Sequence, residues 1–139
     1  MGIAIENEVI VKGRRAKEAS RILNQKTTVD KEHVLRVLAQ QLHADSGKIL
    51  DANALDIEAG KINSMPDATL DRILLTETRI QAMVDAIYDL IELPDPIGEV
   101  LEVIEKENGL KIHKKRVPLG VIGMIYEARP NVTIDAATL

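Results

Sequence analysis

A short turn near the end of the sequence carries the polar groups best suited to chemistry. In Tyr126–Asn131, two charged side chains, Glu127 and Arg129, and the amide of Asn131 directly follow an apolar run. Ligands of α/β proteins commonly bind where the end of a strand is followed by the N-terminus of a helix. The order of residues therefore predicts one wall of a ligand site at this turn.

The side chain of Asn131 admits two interpretations. In the structural one, Asn131 is the N-cap of a helix that begins at Val132-Thr133, a role worth about 1 kcal/mol. In the functional one, its amide donates a hydrogen bond to a developing oxyanion without adding charge. The residues alone leave both interpretations open.

The element that must position this turn is the apolar run Leu119–Ile125. A run of this kind is typical of a strand that is buried on both faces of a parallel sheet. Gly120 and Gly123 lie within it, and glycines in a strand often mark the close approach of a ligand or another backbone. The run has neither the GxGxxG fingerprint nor the phosphate-binding loop.

A β-hairpin is predicted before this strand. The segment Leu93–Gly98 contains two prolines around an aspartate, which ends helical structure. Glu99–Lys106 and Leu110–Val117 are then separated by Glu107-Asn108-Gly109, and Asn-Gly favours a hairpin turn. Unpaired hairpin edges commonly seek another strand.

The part of the sequence before the hairpin is predicted to be helical. Helices are expected from about Glu6 to Asn24, from Thr28 or Asp30 onwards, from Ile49 to Gly60 with Gly60 as C-cap, and around Leu70. The strongest helix follows Thr76, because its apolar residues keep a spacing of three or four: Ile80, Met83, Val84, Ile87, Leu90 and Ile91.

The predicted fold class is α/β, with a mostly α-helical part followed by a β-hairpin and one buried strand. Residues 1–94 form the helical part, 95–118 the hairpin, and 119–139 a strand, a turn and the start of a helix. With 139 residues the chain is long enough to bury a core. That core must be aliphatic, because the sequence has no Phe or Trp and only two Tyr.

Composition argues against several classes of partner. The net charge of -4 gives no basic face for nucleic acid. No apolar run approaches the roughly 18 residues of a membrane span, and acidic residues stand near Met1 where a signal peptide has basic ones. We therefore expect a cytoplasmic protein. We expect no metal site, because His33, His43 and His113 are far apart in sequence.

The residues from Arg116 to Thr133, RVPLGVIGMIYEARPNVT, resemble the signature of the gamma-glutamyl phosphate reductases, also called glutamate-5-semialdehyde dehydrogenases, of the aldehyde dehydrogenase superfamily. Four upstream pieces are similar to the same family in the same order: Ala16–Arg21, Ile49–Asp56, Leu70–Glu77 and Leu93–Val100. The chain looks like the N-terminal third of such an enzyme.

This resemblance implies NADPH-dependent reduction of gamma-glutamyl phosphate, a small-molecule substrate, to glutamate-5-semialdehyde in proline biosynthesis. In the family the reaction passes through a cysteine thioester. The present sequence has no cysteine, so the nucleophile is expected in a part of the enzyme that this chain lacks. We expect these residues alone to be inactive.

Site roles are also implied by the resemblance. The strand and turn would border the cofactor cleft, with Ile125, Tyr126 and Glu127 beside NADPH or NADP. Asn131 is the expected oxyanion or substrate donor, and Arg129 the expected partner of the acyl phosphate or the substrate carboxylate. Ordinary aldehyde dehydrogenases place an Asn in a similar turn, and ungapped alignment puts Arg129 there. Which of the two residues occupies the oxyanion position stays open.

The hairpin of residues 99–117 is similar to the start of the family's oligomerisation arm, which implies a homo-oligomer. One alternative to an enzyme part is a non-catalytic helical module that serves for interaction or oligomerisation. The absence of cysteine motivates this alternative.

Overall fold

The computed structural model describes residues 7–139, which are mostly helical and include one two-stranded antiparallel sheet. The elements are α1 (Glu8–Leu23), α2 (Thr28–Ala44), α3 (Ser46–Ile62), α4 (Asp67–Ile73), α5 (Glu77–Glu92), β1 (Val100–Glu105), β2 (Lys111–Lys115) and α6 (Pro130–Thr138). The predicted series of helices followed by a hairpin is confirmed. The predicted start of α1 at Glu6 lies outside the described residues.

The described residues form two compact units. One contains residues 7–28 and Pro94–Gly123, and the other contains Val29–Leu93 and Met124–Leu139. The predicted division at residues 94 and 118 stays a prediction. No helix within residues 7–139 is both long and apolar enough to cross a membrane.

The core of the second unit lies between α2 and α5. The strongest predicted helix is confirmed, because α5 buries most of the stripe of residues expected from its spacing: Ile80, Met83, Val84, Ile87 and Ile91. Leu90, which was predicted in the same stripe, is half-buried. Ala39 and Leu42 of α2 complete this cluster. Thr76 begins α5 as a side-chain N-cap, since its hydroxyl oxygen accepts from the backbone N–H of Arg79 at 3.1 Å.

In the first unit, β1 and β2 form the predicted hairpin. Ile104 lies opposite Ile112, and the left-handed φ of +83° at Gly109 explains why a glycine stands in the turn. Two ion pairs, Glu105 with Lys111 at 2.6 Å and Glu99 with Arg116 at 2.7 Å, join the two sides. Side chains on both faces are exposed.

The prediction that Leu119–Ile125 forms a buried strand is wrong for this structure. The segment has no strand assignment, its residues are exposed, and Gly120 adopts a φ of +95°. A strand needs a neighbouring backbone to satisfy its N–H and C=O groups. Within residues 7–139 the sheet contains β1 and β2 alone, so the apolar run has no strand to pair with.

Gly60 is not the C-cap of α3, contrary to the prediction. The helix continues to Ile62, and Asn63 is its C-cap. Gly60 is buried inside the helix, where a Cβ atom would lie 2.8 Å from Cδ2 of Leu70 on α4 and 3.4 Å from Sδ of Met65. Close packing, rather than helix termination, explains this glycine.

Candidate functional site

The candidate site is the turn Ile125–Asn131, which leads into α6. Pro130 occupies the first turn of the helix, and Arg129 before it is non-helical, with φ -144° and ψ 85°. Proline suits the first helical position because its φ is preset and it needs no N–H there. The residue before a proline is pushed towards extended geometry. These two preferences set the start of α6.

The structural interpretation of Asn131 as an N-cap is wrong. Arg129 is the N-cap residue and makes no side-chain capping bond, while Asn131 lies inside the first turn. Its amide nitrogen donates instead to Oδ2 of Asp135, one turn later, at 3.1 Å. The preference of Pro130 for the first helical position outweighs the capping preference of asparagine. An amide has two N–H donors, so this bond leaves one for a ligand.

A hydrogen bond of 2.7 Å between the hydroxyls of Tyr126 and Thr133 closes the turn onto the first turns of α6. Between them Ala128 has a left-handed φ of +50°. This conformation costs a non-glycine residue about 1–2 kcal/mol. Strain of this sort persists only where the surroundings hold the backbone, and it often occurs at functional turns.

Arg129 presents a guanidinium that no other group engages within residues 7–139. Its side chain is exposed and makes no ion pair or hydrogen bond in this part of the chain. It stands at the N-terminus of α6, where the helix dipole favours negative charge. Guanidinium binds carboxylate or phosphate in a bidentate manner. The position is therefore suited to an anionic ligand.

The residues predicted at the cofactor are differently placed. Ile125 is fully exposed, Glu127 is exposed, and Tyr126 is partly engaged by Thr133. The structure thus bonds Tyr126 and Asn131 to side chains of α6, with Arg129 as the N-cap residue. All of the predicted site residues, Ile125 and Glu127 included, are exposed.

Helix α6 is anchored to the core of the second unit by α5. Ile134 packs against the buried cluster described above. At its N-terminus, Pro130 lines an open groove of about 530 Å³ together with Ile49, Ala52, Asn53 and Leu75. The first residue of α6 thus shares this groove with side chains of α3 and of the segment between α4 and α5.

The rim of this groove carries an ion pair. Nζ of Lys48 lies 2.6 Å from Oδ1 of Asp45, and Gln41 donates to the other carboxylate oxygen. The hydrogen bond from Lys48 lowers the pKa of Asp45 below its ordinary value, and the bond from Gln41 adds to this effect. The same carboxylate raises the pKa of Lys48. Both groups therefore stay charged near neutral pH.

Sequence reasoning missed three residues that organise this region. Asp135 was detectable, because an Asn and an Asp four residues apart on a helix are neighbours. Thr133 carried no signal in the sequence, since its partner Tyr126 precedes the helix. Asn53 stands between two alanines in a helical pattern, and only the structure shows that its amide is buried and that its nitrogen and its oxygen each make a hydrogen bond.

The chain is similar to known proteins in sequence and in fold, although no family model matches it. It is 56% identical to the gamma-glutamyl phosphate reductase of Oceanobacillus iheyensis over 133 residues. The matched residues make up 96% of the chain and 32% of that relative. The solved gamma-glutamyl phosphate reductase of Thermotoga maritima matches with a TM-score of 0.94 and 37% identity, over 96% of the chain and 32% of that structure. The solved gamma-glutamyl phosphate reductase of Saccharomyces cerevisiae matches with a TM-score of 0.85 and 28% identity, over 90% of the chain and 32% of that structure.

The fold of this chain is thus that of one part of a reductase. All three matches carry one name, gamma-glutamyl phosphate reductase, and the resemblance predicted from the sequence is confirmed. The chain spans about a third of the length of the relatives it matches, and it corresponds to their N-terminal part.

Proposed function

We propose that the chain is the N-terminal part of a reductase that converts gamma-glutamyl phosphate to glutamate-5-semialdehyde with NADPH, in proline biosynthesis in the cytoplasm. The observation that carries the proposal is the agreement of 56% identity to one such enzyme with a TM-score of 0.94 to another, each over 96% of the chain. The alternative of a non-catalytic module gains no support from these comparisons.

Arg129 binds an anionic group of the substrate in this proposal, either the acyl phosphate or the carboxylate. Three observations support this role: the exposed guanidinium, its lack of a partner within residues 7–139, and its place at the N-terminus of α6. Phosphate and carboxylate are both favoured there by the helix dipole. The bidentate geometry also orients the acyl group for attack.

Asn131 donates a hydrogen bond to the oxygen that gains negative charge during the reaction. Its amide already donates one hydrogen bond to Asp135, which fixes the direction of the side chain. A donor held in place before the reaction stabilises an oxyanion more than one that must reorient. The carboxylate of Asp135 therefore acts as a support for Asn131.

The residues next to this turn fit the nicotinamide end of a dinucleotide better than its phosphates. Ile125 offers an exposed apolar side chain and Tyr126 an exposed ring edge, whereas the carboxylate of Glu127 would repel phosphate. Bound NADPH would supply the hydride of the reaction. The chain's own contribution is to hold the ring and exclude water on one side.

The thiolate expected for the covalent step is absent here, because the chain has no cysteine. We therefore propose that residues 1–139 alone do not turn over substrate. We also propose that the hairpin of residues 99–117 joins copies of the enzyme. Its apolar side chains on both faces, among them Val103, Ile104 and Ile112, are exposed in the single chain, and its outer edges are unpaired within residues 7–139.

The test joins this chain to the part of the Oceanobacillus iheyensis relative that lies beyond the match, and measures phosphate-dependent reduction of NADP by glutamate-5-semialdehyde. We expect turnover from the joined protein and none from the chain alone. Arg129→Met should raise by about 10- to 100-fold the KM for the ligand whose anionic group it binds, because a charged hydrogen bond is lost. This ligand is phosphate if Arg129 binds the acyl phosphate, and glutamate-5-semialdehyde if it binds the carboxylate. Lys17→Met on α1 is the matched control and should leave KM unchanged. A folded joined protein without turnover refutes the proposal.

A further inference from the structure

The buried side chain of Asn53 holds the segment between α4 and α5. Asn53 lies on α3 and is only 6% exposed. Its Nδ2 donates to the carbonyl oxygen of Ile73 at 2.8 Å, and its Oδ1 accepts from the backbone N–H of Leu75 at 2.7 Å. Both ends of the amide are thus used by the backbone of one short segment, and a shorter or apolar side chain cannot replace them.

The same segment is held from its other side by Arg79 of α5. The guanidinium donates to the carbonyl oxygen of Leu74 at 2.6 Å and to the backbone and side chain of Asp71. The backbone groups of three consecutive residues, 73 to 75, are therefore bonded to side chains from two different helices. A connection of this length without such bonds would be free to shift.

Leu75 lies in this segment and lines the groove beside the candidate site. Its side chain is half-buried and packs against the core. Together with Asn53 and Ile49 it lines the groove that also contains Pro130, the residue that follows Arg129. A displacement of Leu75 thus changes the surface beside the first residue of α6.

We propose that Asn53 is a positioning residue for the turn Ile125–Asn131: it fixes Leu75, and Leu75 fixes the start of α6, from which Arg129 and Asn131 project. This inference rests on the function proposed above for its catalytic meaning, although its structural part stands alone. Asn53 touches neither substrate nor cofactor in this account. Its effect on the reaction is transmitted through backbone geometry, where a misplacement of about 1 Å can cost about 100-fold in rate.

The structural part is tested by hydrogen exchange on the 139-residue chain. The reporter is the amide of Val132, which donates to the carbonyl oxygen of Arg129 at 3.1 Å. In Asn53→Ala we expect its exchange to accelerate by about tenfold, since a buried polar contact is lost. The control is Asn63→Ala, which removes an amide bond to the carbonyl oxygen of Ala59 at the exposed end of the same helix. It should change the Val132 exchange by less than about twofold.

Two further variants keep the test decisive if Asn53→Ala does not fold. Asn53→Asp keeps the acceptor for Leu75 and removes the donor to Ile73. Leu75→Ala shortens the groove wall and leaves both backbone bonds intact. Each should accelerate exchange at Val132 more than at the amides of α2. Uniform acceleration across the second unit would show a general loss of stability and would overturn the proposal.

The catalytic part is tested in the joined protein of the preceding section. We expect Asn53→Asp to lower kcat/KM for the acyl substrate by about tenfold, with the KM for the dinucleotide changed by less than about twofold. Unchanged kcat/KM in a folded Asn53 variant overturns this part. An inactive joined parent protein would instead count against the proposed function, and the exchange result at Val132 would be unaffected by that failure.

Discussion

Replacing Gly60 by alanine tests whether packing or helix termination explains this glycine. Alanine in a helix interior is favoured over glycine by about 1 kcal/mol, so a free site would be stabilised. At Gly60 the new Cβ would lie 2.8 Å from Cδ2 of Leu70. Ordinary contacts begin near 3.4 Å, so Cδ2 of Leu70 must retreat by about 0.6 Å. Because this atom is the far end of a flexible side chain, the overpacking cost lies at the low end of the usual range, about 1 kcal/mol.

The overpacking cost and the gain in helix propensity therefore nearly cancel, and we expect Gly60→Ala to change the free energy of unfolding by less than about 1 kcal/mol. Gly47, in the same helix, has nothing within 4 Å of an added Cβ. We expect Gly47→Ala to raise the free energy of unfolding by about 0.5–1 kcal/mol. Urea unfolding followed by circular dichroism measures both changes.

The double variant Gly60→Ala with Leu70→Ala identifies the cause. If the clash with Leu70 is responsible, the two substitutions should be non-additive, with a coupling of about 1 kcal/mol in favour of the pair. Additive effects, or stabilisation by Gly60→Ala as large as that by Gly47→Ala, would refute the packing argument. A glycine that ended the helix in a left-handed conformation would instead lose stability on substitution, and this loss would not be coupled to Leu70.

Three other outcomes are expected. Ala128→Gly should raise the free energy of unfolding by about 0.5–1 kcal/mol, because glycine adopts the left-handed φ of +50° without strain. The control Ala136→Gly, inside α6, should lower the free energy of unfolding. Denaturant unfolding shows whether each substitution stabilises or destabilises the protein. Lys48→Met should raise the pKa of Asp45 towards its ordinary value in an NMR titration. The lowered pKa of Asp45 stabilises the fold above the ordinary value, and that contribution is lost as pH falls through the folded pKa, so Lys48→Met should weaken this acid dependence. Leu101→Glu on the hairpin should reduce the light-scattering mass of the joined protein, and Val9→Glu on α1, where an apolar side chain is also exposed to solvent, should not. Equal masses for Leu101→Glu and the parent would exclude the hairpin as the interface.

Much of the helical architecture was predictable because the signals are local. The stripe of α5, the hydroxyl cap at Thr76 and the Asn-Gly turn each depend on residues close in sequence. Gly60 was misinterpreted because the atoms it must accommodate belong to Leu70 and Met65 in later parts of the chain. In the sequence alone, a glycine that ends a helix and a glycine that is packed inside one look the same near the end of an apolar pattern.

The candidate site was predictable in location and less so in geometry. Charges and an amide after an apolar run were enough to locate the turn. The helix start depended on a competition between two local preferences, that of Pro130 for the first helical position and that of Asn131 for the cap. The strand before the turn was predicted from its composition, although a strand also requires a partner that composition cannot supply. The bonds of Asn53 are tertiary and have no local signature.

The hydrogen bond between Tyr126 and Thr133 lowers the conformational entropy that this turn would lose on binding a ligand. A loop that is ordered only when its ligand arrives loses conformational freedom at that moment, which weakens the affinity. Here the hydroxyl bond, the ring of Pro130 and the left-handed Ala128 restrict the backbone on both sides of Arg129. That freedom is lost during folding instead. If Arg129 binds an anion as proposed, the backbone around it is already ordered, and only its side chain must still become ordered on binding.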